Sequence, residues 1–398
     1  MHKAALKTSA HEAARFTARE AVRGLFRKRF GAEALIVRAP GRINIIGDHT
    51  DYNGGLALCA AVDRAVWIAA KRNDLGRVRI EAPHLNKRYD DTLGRIASGA
   101  GPWPRYLLGV VEILREAGAA IGGFDLVYDS DIPLGSGLSS SSALSCGLAF
   151  ALGELYDLRL ERERLVEIAR LAEERYVGTQ SGSMDQTTIL FGKRNHALLL
   201  DFRSRTRNPI AFPLNARIIL CDSGVERAAV EDRYNERRAE CVASVHILRK
   251  YNPKIRTLRD LSDADLAEHA GEMGPTLSRR CRFVLAEDDR VARSALALLR
   301  GDVLTLGRLM FESHEGLRAE YQVSVRDVDR LVTQAATIHG VLGARIMGTG
   351  FGGCTINLVR EEALEEFMAT MGTFYHDVLA RPARMFACEL RAGVQRVA

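Results

Sequence analysis

Ala39-Pro40-Gly41-Arg42-Ile43-Asn44-Ile45-Ile46-Gly47-Asp48-His49-Thr50-Asp51-Tyr52-Asn53-Gly54-Gly55 decides the reading of this 398-residue chain. The run gathers a cation, two carboxylates, an imidazole, two amides and a phenol around four glycines. The preceding Leu35-Ile36-Val37 is strand-like. The polar cluster is therefore expected to follow a strand at an edge rather than to fill a core. Polar side chains crowded on a tight turn cost folding free energy unless they find partners. A ligand rich in hydroxyls is a natural partner. A capped surface turn explains any two of these residues but not all of them.

Outward from this run, Pro133-Leu134-Gly135-Ser136-Gly137-Leu138-Ser139-Ser140-Ser141-Ser142-Ala143 lies between a strand-like segment and an Ala/Leu-rich helical one. Glycines let backbone approach an anion, and the helix start offers free N–H groups and the positive end of its dipole. Serine hydroxyls add donors and suit a hard cation such as magnesium. A helix cap needs one serine, and four occur here in succession. The GxxxxGK[ST] signature does not occur, so this is not a Walker loop.

Gly348-Thr349-Gly350-Phe351-Gly352-Gly353 contains GxGxxG. The next residues, Cys354 to Val359, are strand-like rather than helical, and too little chain remains for a dinucleotide-binding unit. That reading is rejected. Ser181-Gly182-Ser183-Met184-Asp185-Gln186 reads by itself as an ordinary polar turn.

Length suggests two domains, divided near residue 210 where the composition shifts. The expected division is 1–210, which holds the first two motifs, and 211–398. Strands are expected near 65–71, 77–82, 124–130, 196–202 and 216–222, with helices over about 104–116, from the end of the Ser cluster at 139–142 to about 156, and over about 160–175. Apolar spacing near 3.6 predicts helices at 230–250, 275–299, 302–321 and 326–339. A strand pair near 343–347 and 354–359, a helix at 361–378 and a strand at 384–390 complete the chain. No internal repeat occurs.

Net charge is +6, and of 56 basic residues only eight are lysine. The cations are scattered among acids, which argues against nucleic-acid binding and for a general arginine bias. The field still favours an anionic substrate such as a nucleotide. Seven single cysteines, with no CxxC pair, argue against zinc and disulfide frameworks. No stretch approaches the roughly 20 apolar residues of a membrane span. The Arg-rich segment from His11 to Phe30 carries Glu12 and Glu20 and is read as a first helix ending at Gly31, not a transit peptide. A cytoplasmic, monomeric protein is the expectation.

The 39–55 run resembles the galactokinase signature of the GHMP sugar and metabolite kinases, with one departure: the family pattern has Glu where this chain has Asp48. The Ser-rich run resembles the second GHMP motif, and Gly343 to Thr355 the third. Trp103-Pro-Arg-Tyr106-Leu-Leu-Gly109-Val110, Arg233-Tyr234-Asn235-x-Arg237-Arg238-x-x-Cys241, and Ser313-His314 with Val323-Ser324 and Asp329 extend the likeness. His314 is read as a structural histidine on a helix face. The resemblance implies an α+β, two-domain GHMP kinase fold with the active site in the cleft. It implies ATP and Mg²⁺ as cofactors, and phosphorylation of the anomeric hydroxyl of galactose or a near relative. Asp185 becomes the base and Arg42 its cationic neighbour; Asp48, His49, Asp51, Gly182 and Tyr234 join them facing the sugar. Gly135, Ser136, Gly137, Leu138, Ser139, Ser140, Ser141 and Ser142, with Trp103, belong to the nucleotide, and Ser141 to magnesium. The Asp48 departure keeps galacturonate, arabinose, N-acetylgalactosamine and glucose open as substrates. A catalytically silent sugar sensor is a further alternative, though the complete Ser-rich loop argues against it. A kinase of a non-sugar alcohol such as mevalonate fits the His49-x-Asp51-Tyr52 cluster poorly.

Overall fold

The computed structural model of the chain describes residues 18–94, 103–133, 135–180, 182–213, 215–225 and 230–397. Two antiparallel-rich sheets and their helices make up the fold. Strands β1 (Leu35–Ile46), β2 (Leu56–Arg72), β3 (Arg77–Ala82), β4 (Lys87–Thr92), β5 (Phe124–Ser130), β6 (His196–Asp201), β7 (Thr206–Ala211) and β12 (Gln395–Val397) form the first. The 17-residue β2 is its spine: its second half pairs with β5 and its first four residues with β6. The other sheet has the order β11-β8-β10-β9, from β8 (Ala216–Asp222), β9 (Val341–Ile346), β10 (Cys354–Arg360) and β11 (Met385–Cys388).

The helices arise from their apolar faces. A first helix, α1, covers 18–30; the part expected over 11–17 lies outside the described residues. Helix α2 (Arg105–Glu116) is amphipathic, whereas α3 (Ser140–Leu155), rich in Ala and Leu, is buried along most of its length. Gly147 lets α3 press on the first sheet: a Cβ there would lie 2.8 Å from both Ala39 and Ile68. Helices α4 (Arg162–Ala172) and α5 (Met184–Phe191) complete that layer. Over the second sheet and between the sheets lie α6 (Val230–Leu248), α7 (Asp263–Glu268), α8 (Ala270–Leu299), α9 (Val303–Ala319), α10 (Arg326–Ala336) and α11 (Leu364–Asp377). One apolar core runs from Val37 and Ile68 of the first sheet to Ile218, Leu220 and Ile356 of the second.

Two expectations about the site are corrected. The polar cluster does not sit at an exposed edge: β1 carries the chain through Ile46, and Arg42, Asn44, Asp48 and His49 are all at most 4 % exposed. They are tolerated because protein donors and acceptors meet them. Asp185 is not in a free turn but in the first turn of α5, where a carboxylate suits the positive end of the helix dipole. Several shorter elements, β4, β7, β12 and α7, carry no sequence signal, being short or polar.

Candidate active site

A cavity of about 540 Å³ opens between the two sheets' layers. Arg42, near the middle of β1, ties its parts together. Its Nε and Nη2 donate to the two oxygens of Asp185 at 2.7 and 2.8 Å, a bidentate pair. Its Nη1 donates to the carbonyl of Gly137, and its backbone N–H to Leu138 O at 3.0 Å. One side chain therefore holds the carboxylate on α5 and the Ser-rich loop in register. Burial works against the Arg42 charge, but the adjoining Asp185 carboxylate outweighs it and raises the pKa. Ser139, at the N-terminal boundary of α3, also donates to Asp185.

The loop leaving β1 turns on positive-φ residues, Gly47 at 105° and His49 at 65°. This directs His49 and Asp51 to the cavity, and Asp48 lines it too. Asp51 packs so closely on Gly182 that a Cβ there would lie 2.0 Å from its Oδ2, so the chain needs glycine at that position. Burial, with Asp185 nearby, pushes the Asp51 carboxyl up to about 6. Burial lowers the His49 ring to about 3, so it is neutral. Tyr234, from α6, faces the same space, its phenol raised well above the usual value by burial.

Asp48 is held by the protein itself. Its Oδ1 accepts from Asn44 Nδ2 at 2.7 Å, and its Oδ2 from Gly348 N at 2.9 Å and from Arg345. Burial pushes its carboxyl up while Arg345 and Arg42 pull it down. Whatever contact Asp48 makes with a ligand, it already anchors the third glycine run.

Gly135, Ser136, Gly137, Leu138, Ser139, Ser140, Ser141 and Ser142 all line the cavity. Gly135 and Gly137 have φ of 76° and 75°, which turn the loop's backbone. Gly348 and Thr349 close the cavity from the other side. Trp103 is not brought there; it packs half-buried against the first core, and Tyr106, at the start of α2, lines the cavity instead. Ser181 lies outside the described residues.

Sequence reasoning misses Glu173, which reads there as one of two adjacent acids on a helix. The helix loosens into a π turn over Glu173–Val177, a local irregularity common at functional sites. Glu173 lines the cavity at 4 % exposure, accepts from Ser142 Oγ at 3.2 Å, and keeps Oε1 without a partner. Burial, then Asp185, pushes its carboxyl up to about 7. Among the described residues no group of three or more His, Cys, Asp or Glu could hold a metal. A buried carboxylate with an open oxygen beside serine hydroxyls is, however, the donor set that suits magnesium when substrate phosphates supply the rest.

The chain is similar to known proteins along most of its length. The galactokinase galactose-binding signature matches residues 24–72, the GHMP kinases N terminal domain 105–193, and the GHMP kinases C terminal model 294–377. A galactokinase of Roseiflexus sp. (strain RS-1) is 41 % identical over 377 residues, covering 94 % of this chain and 96 % of that protein. A galactokinase of Thermotoga neapolitana is 36 % identical over 366 residues, covering 91 % and 99 %. The crystal structure of Lactococcus lactis galactokinase complexed with galactose superposes with a TM-score of 0.91 at 31 % identity, covering 95 % of this chain and 99 % of that one. Methanococcus jannaschii mevalonate kinase shares the fold at a TM-score of 0.66 and 20 % identity. Matched by these family models and by relatives of 36–41 % identity over nine-tenths of its length, the chain belongs to the galactokinases, the ATP-dependent sugar kinases of the two-domain α+β GHMP kinase family.

Proposed function

We propose that the chain transfers the γ-phosphoryl group of ATP to the anomeric hydroxyl of galactose, with Asp185 accepting the hydroxyl proton. The observation that carries this reading is the bidentate Arg42–Asp185 pair, placed where the sugar loop and the Ser-rich loop meet. Phosphoryl transfer is catalysed mainly by positioning and by charge stabilisation. Arg42 supplies a fixed cation beside the reacting oxygens, and Asp185 a positioned acceptor of the proton. His49, Asp51, Gly182 and Tyr234 orient the sugar, and the Ser-rich loop takes the triphosphate at the start of α3. Ser141, together with Glu173, would hold Mg²⁺. Magnesium, when bound, neutralises charge on the phosphates as it develops. The other sugars are less favoured, because the residues around Asp48 match the galactose-binding signature and Asp48 itself is satisfied inside the protein.

In this reading the amino-terminal unit, 1–210, carries the sugar and nucleotide motifs and 211–398 forms the second unit, whose last strand β12 returns to pair with β1. No described helix is long and apolar enough to cross a membrane. The enzyme proposed is monomeric and cytoplasmic.

The test is a coupled ATP-turnover assay over galactose, glucose, arabinose, galacturonate and N-acetylgalactosamine, with the phosphorylated position read by ³¹P NMR. Galactose is expected to be preferred and phosphate to appear on the anomeric oxygen. Asp185→Asn should lower kcat by about two or more orders of magnitude while ATP binding persists. Wild-type turnover in that variant overturns the assignment of Asp185, and binding of galactose without any turnover would mark a sensor.

A further inference from the structure

The neutral ring of His49 has two tautomers, and they present opposite chemistry to a bound sugar. A ring with its proton on Nε2 donates from that atom, whereas one with its proton on Nδ1 accepts there. Nε2 is enclosed, the Thr349 backbone lies beside the ring, and His49 lines the cavity. The other nitrogen, Nδ1, lies 2.8 Å from the Tyr52 hydroxyl. That hydroxyl lies 2.8 Å from the Tyr321 hydroxyl, and Tyr321 Oη lies 3.2 Å from Cys241 Sγ. Four groups from three parts of the chain thus form one buried line: the sugar loop, the residue just beyond α9, and α6.

The line has a direction, which the Asn53 amide sets. Asn53 Nδ2 donates to the His49 carbonyl at 2.9 Å, which fixes the nitrogen end of that amide. Its other N–H faces Cys241 Sγ at 3.6 Å. The sulfur already accepts, so its S–H is free to point at the Tyr321 oxygen. Burial raises the Cys241 pKa, so the thiol keeps its proton. Tyr321 O–H then donates to the Tyr52 oxygen, and Tyr52 O–H to His49 Nδ1. The reverse order would set a phenol to donate to a weakly accepting sulfur and an imidazole N–H to a phenol, both poorer pairings than phenol to imidazole nitrogen. The left-handed φ of His49 shows that the backbone accepts strain to hold the ring here.

We propose that Cys241, Tyr321 and Tyr52 are positioning residues that fix His49 as the Nε2–H tautomer, so that the ring offers a hydrogen-bond donor to a sugar hydroxyl. The donor role toward a sugar rests on the function proposed above; the tautomer itself does not. A sugar bearing a hydroxyl oxygen at that point is accepted, and a deoxy or fluoro analogue loses or weakens the bond.

The tautomer can be read directly in long-range ¹H–¹⁵N spectra of the ¹⁵N-histidine-labelled full chain, with His49 assigned by its loss in His49→Asn. The wild-type ring should show an unprotonated Nδ1 and a protonated Nε2 before any sugar is added. Tyr52→Phe should convert this to a mixture or to the Nδ1–H form. Tyr321→Phe should shift it partway. Cys241→Ser, which keeps a donor, should preserve the wild-type pattern, and Cys241→Ala should not. In kinetics, Tyr52→Phe and Tyr321→Phe should raise KM for galactose about five- to tenfold, the scale of one neutral hydrogen bond, with kcat and KM for ATP within about twofold. A folded wild type with its proton on Nδ1, or a Tyr52→Phe protein that keeps the Nε2–H pattern, overturns the proposal. Failure of the wild type to bind galactose overturns the sugar reading of the site and leaves the tautomer assignment, made in the free protein, standing.

Discussion

A single side chain, Arg42, does more to define this site than any other residue, because its Nε, Nη1 and Nη2 donors are shared between the carboxylate of Asp185 and the backbone of the Ser-rich loop. Lysine, a point charge, could not hold both at once. Asp185 and Arg42 were legible in the sequence only through the family pattern; the spacing of 143 residues between them carries no signal. Glu173 was not legible at all, since a buried acid on a helix becomes visible only when burial and its open Oε1 are known. Glu173→Gln is expected to raise the magnesium concentration needed for half-maximal rate by at least about tenfold, a loss that even indirect partners of metal ligands produce. KM for galactose should not move, and titration of activity with magnesium checks both. Asp48 leads to a different expectation. Its shorter side chain is matched to Arg345, Gly348 and Asn44 at 1 % exposure. Asp48→Glu adds a methylene to a filled space and should cost about 1–3 kcal/mol. Thermal unfolding should register that loss, while the ranking of sugars stays the same. A changed ranking would show that the shorter acid tunes substrate choice.

At the scale of elements, the loop over residues 47–55 is held by α8, which no motif announces. Glu287 accepts from Gly47 N at 3.0 Å and from Ser313 Oγ at 2.7 Å, and pairs with Arg290. The next residue, Asp288, accepts from Leu56 N at 2.8 Å. Arg259 donates to Gly54 O at 2.9 Å. The loop is therefore gripped at both ends, and Gly55 is required because a Cβ would lie 2.4 Å from Asp288 Oδ1. In sequence these acids look like the charged face of a helix, which is why periodicity located α8 but not its task. Burial raises the Asp288 carboxyl from 3.8 to about 6. The fold therefore binds that proton more tightly than the unfolded chain does. The stability it contributes is present below about pH 4 and is lost as pH rises through about 6. Asp288→Asn keeps an oxygen for Leu56 N–H and has no charge to bury. Relative to wild type, its melting temperature should improve as pH goes from about 5 to 7.5. Melting curves of both proteins across that range check the sign, and a constant difference would place the pKa shift elsewhere.

For the whole molecule, the two sheets share one core, and the cleft between their layers is built by residues that cross it. The long helices and the paired strands of the second sheet were legible from apolar periodicity, as Val303–Ala319 and Cys354–Arg360 show. The return of the chain to pair β12 with β1, and the burial of the whole 42–49 cluster, were not, because pattern within a segment says nothing about what covers it from far along the chain. Arg345 is the clearest case. From β9 of the second sheet it reaches across to donate to Asn44 O at 3.0 Å and Ile45 O at 3.3 Å and to pair with Asp48, and it is wholly buried. It is the second sheet's fastening to the sugar motif. Arg345→Met preserves much of the volume and removes the charge, leaving Asp48 buried without its counter-ion. Breaking one side of such a pair costs about 3–5 kcal/mol. Because the apolar core is continuous between the sheets, that loss should lower a single cooperative transition rather than split it in two. Calorimetry on the purified variant reads both quantities. A second transition appearing at lower temperature would mean that the sheets fold as independent units and that Arg345 joins them without sharing in either core.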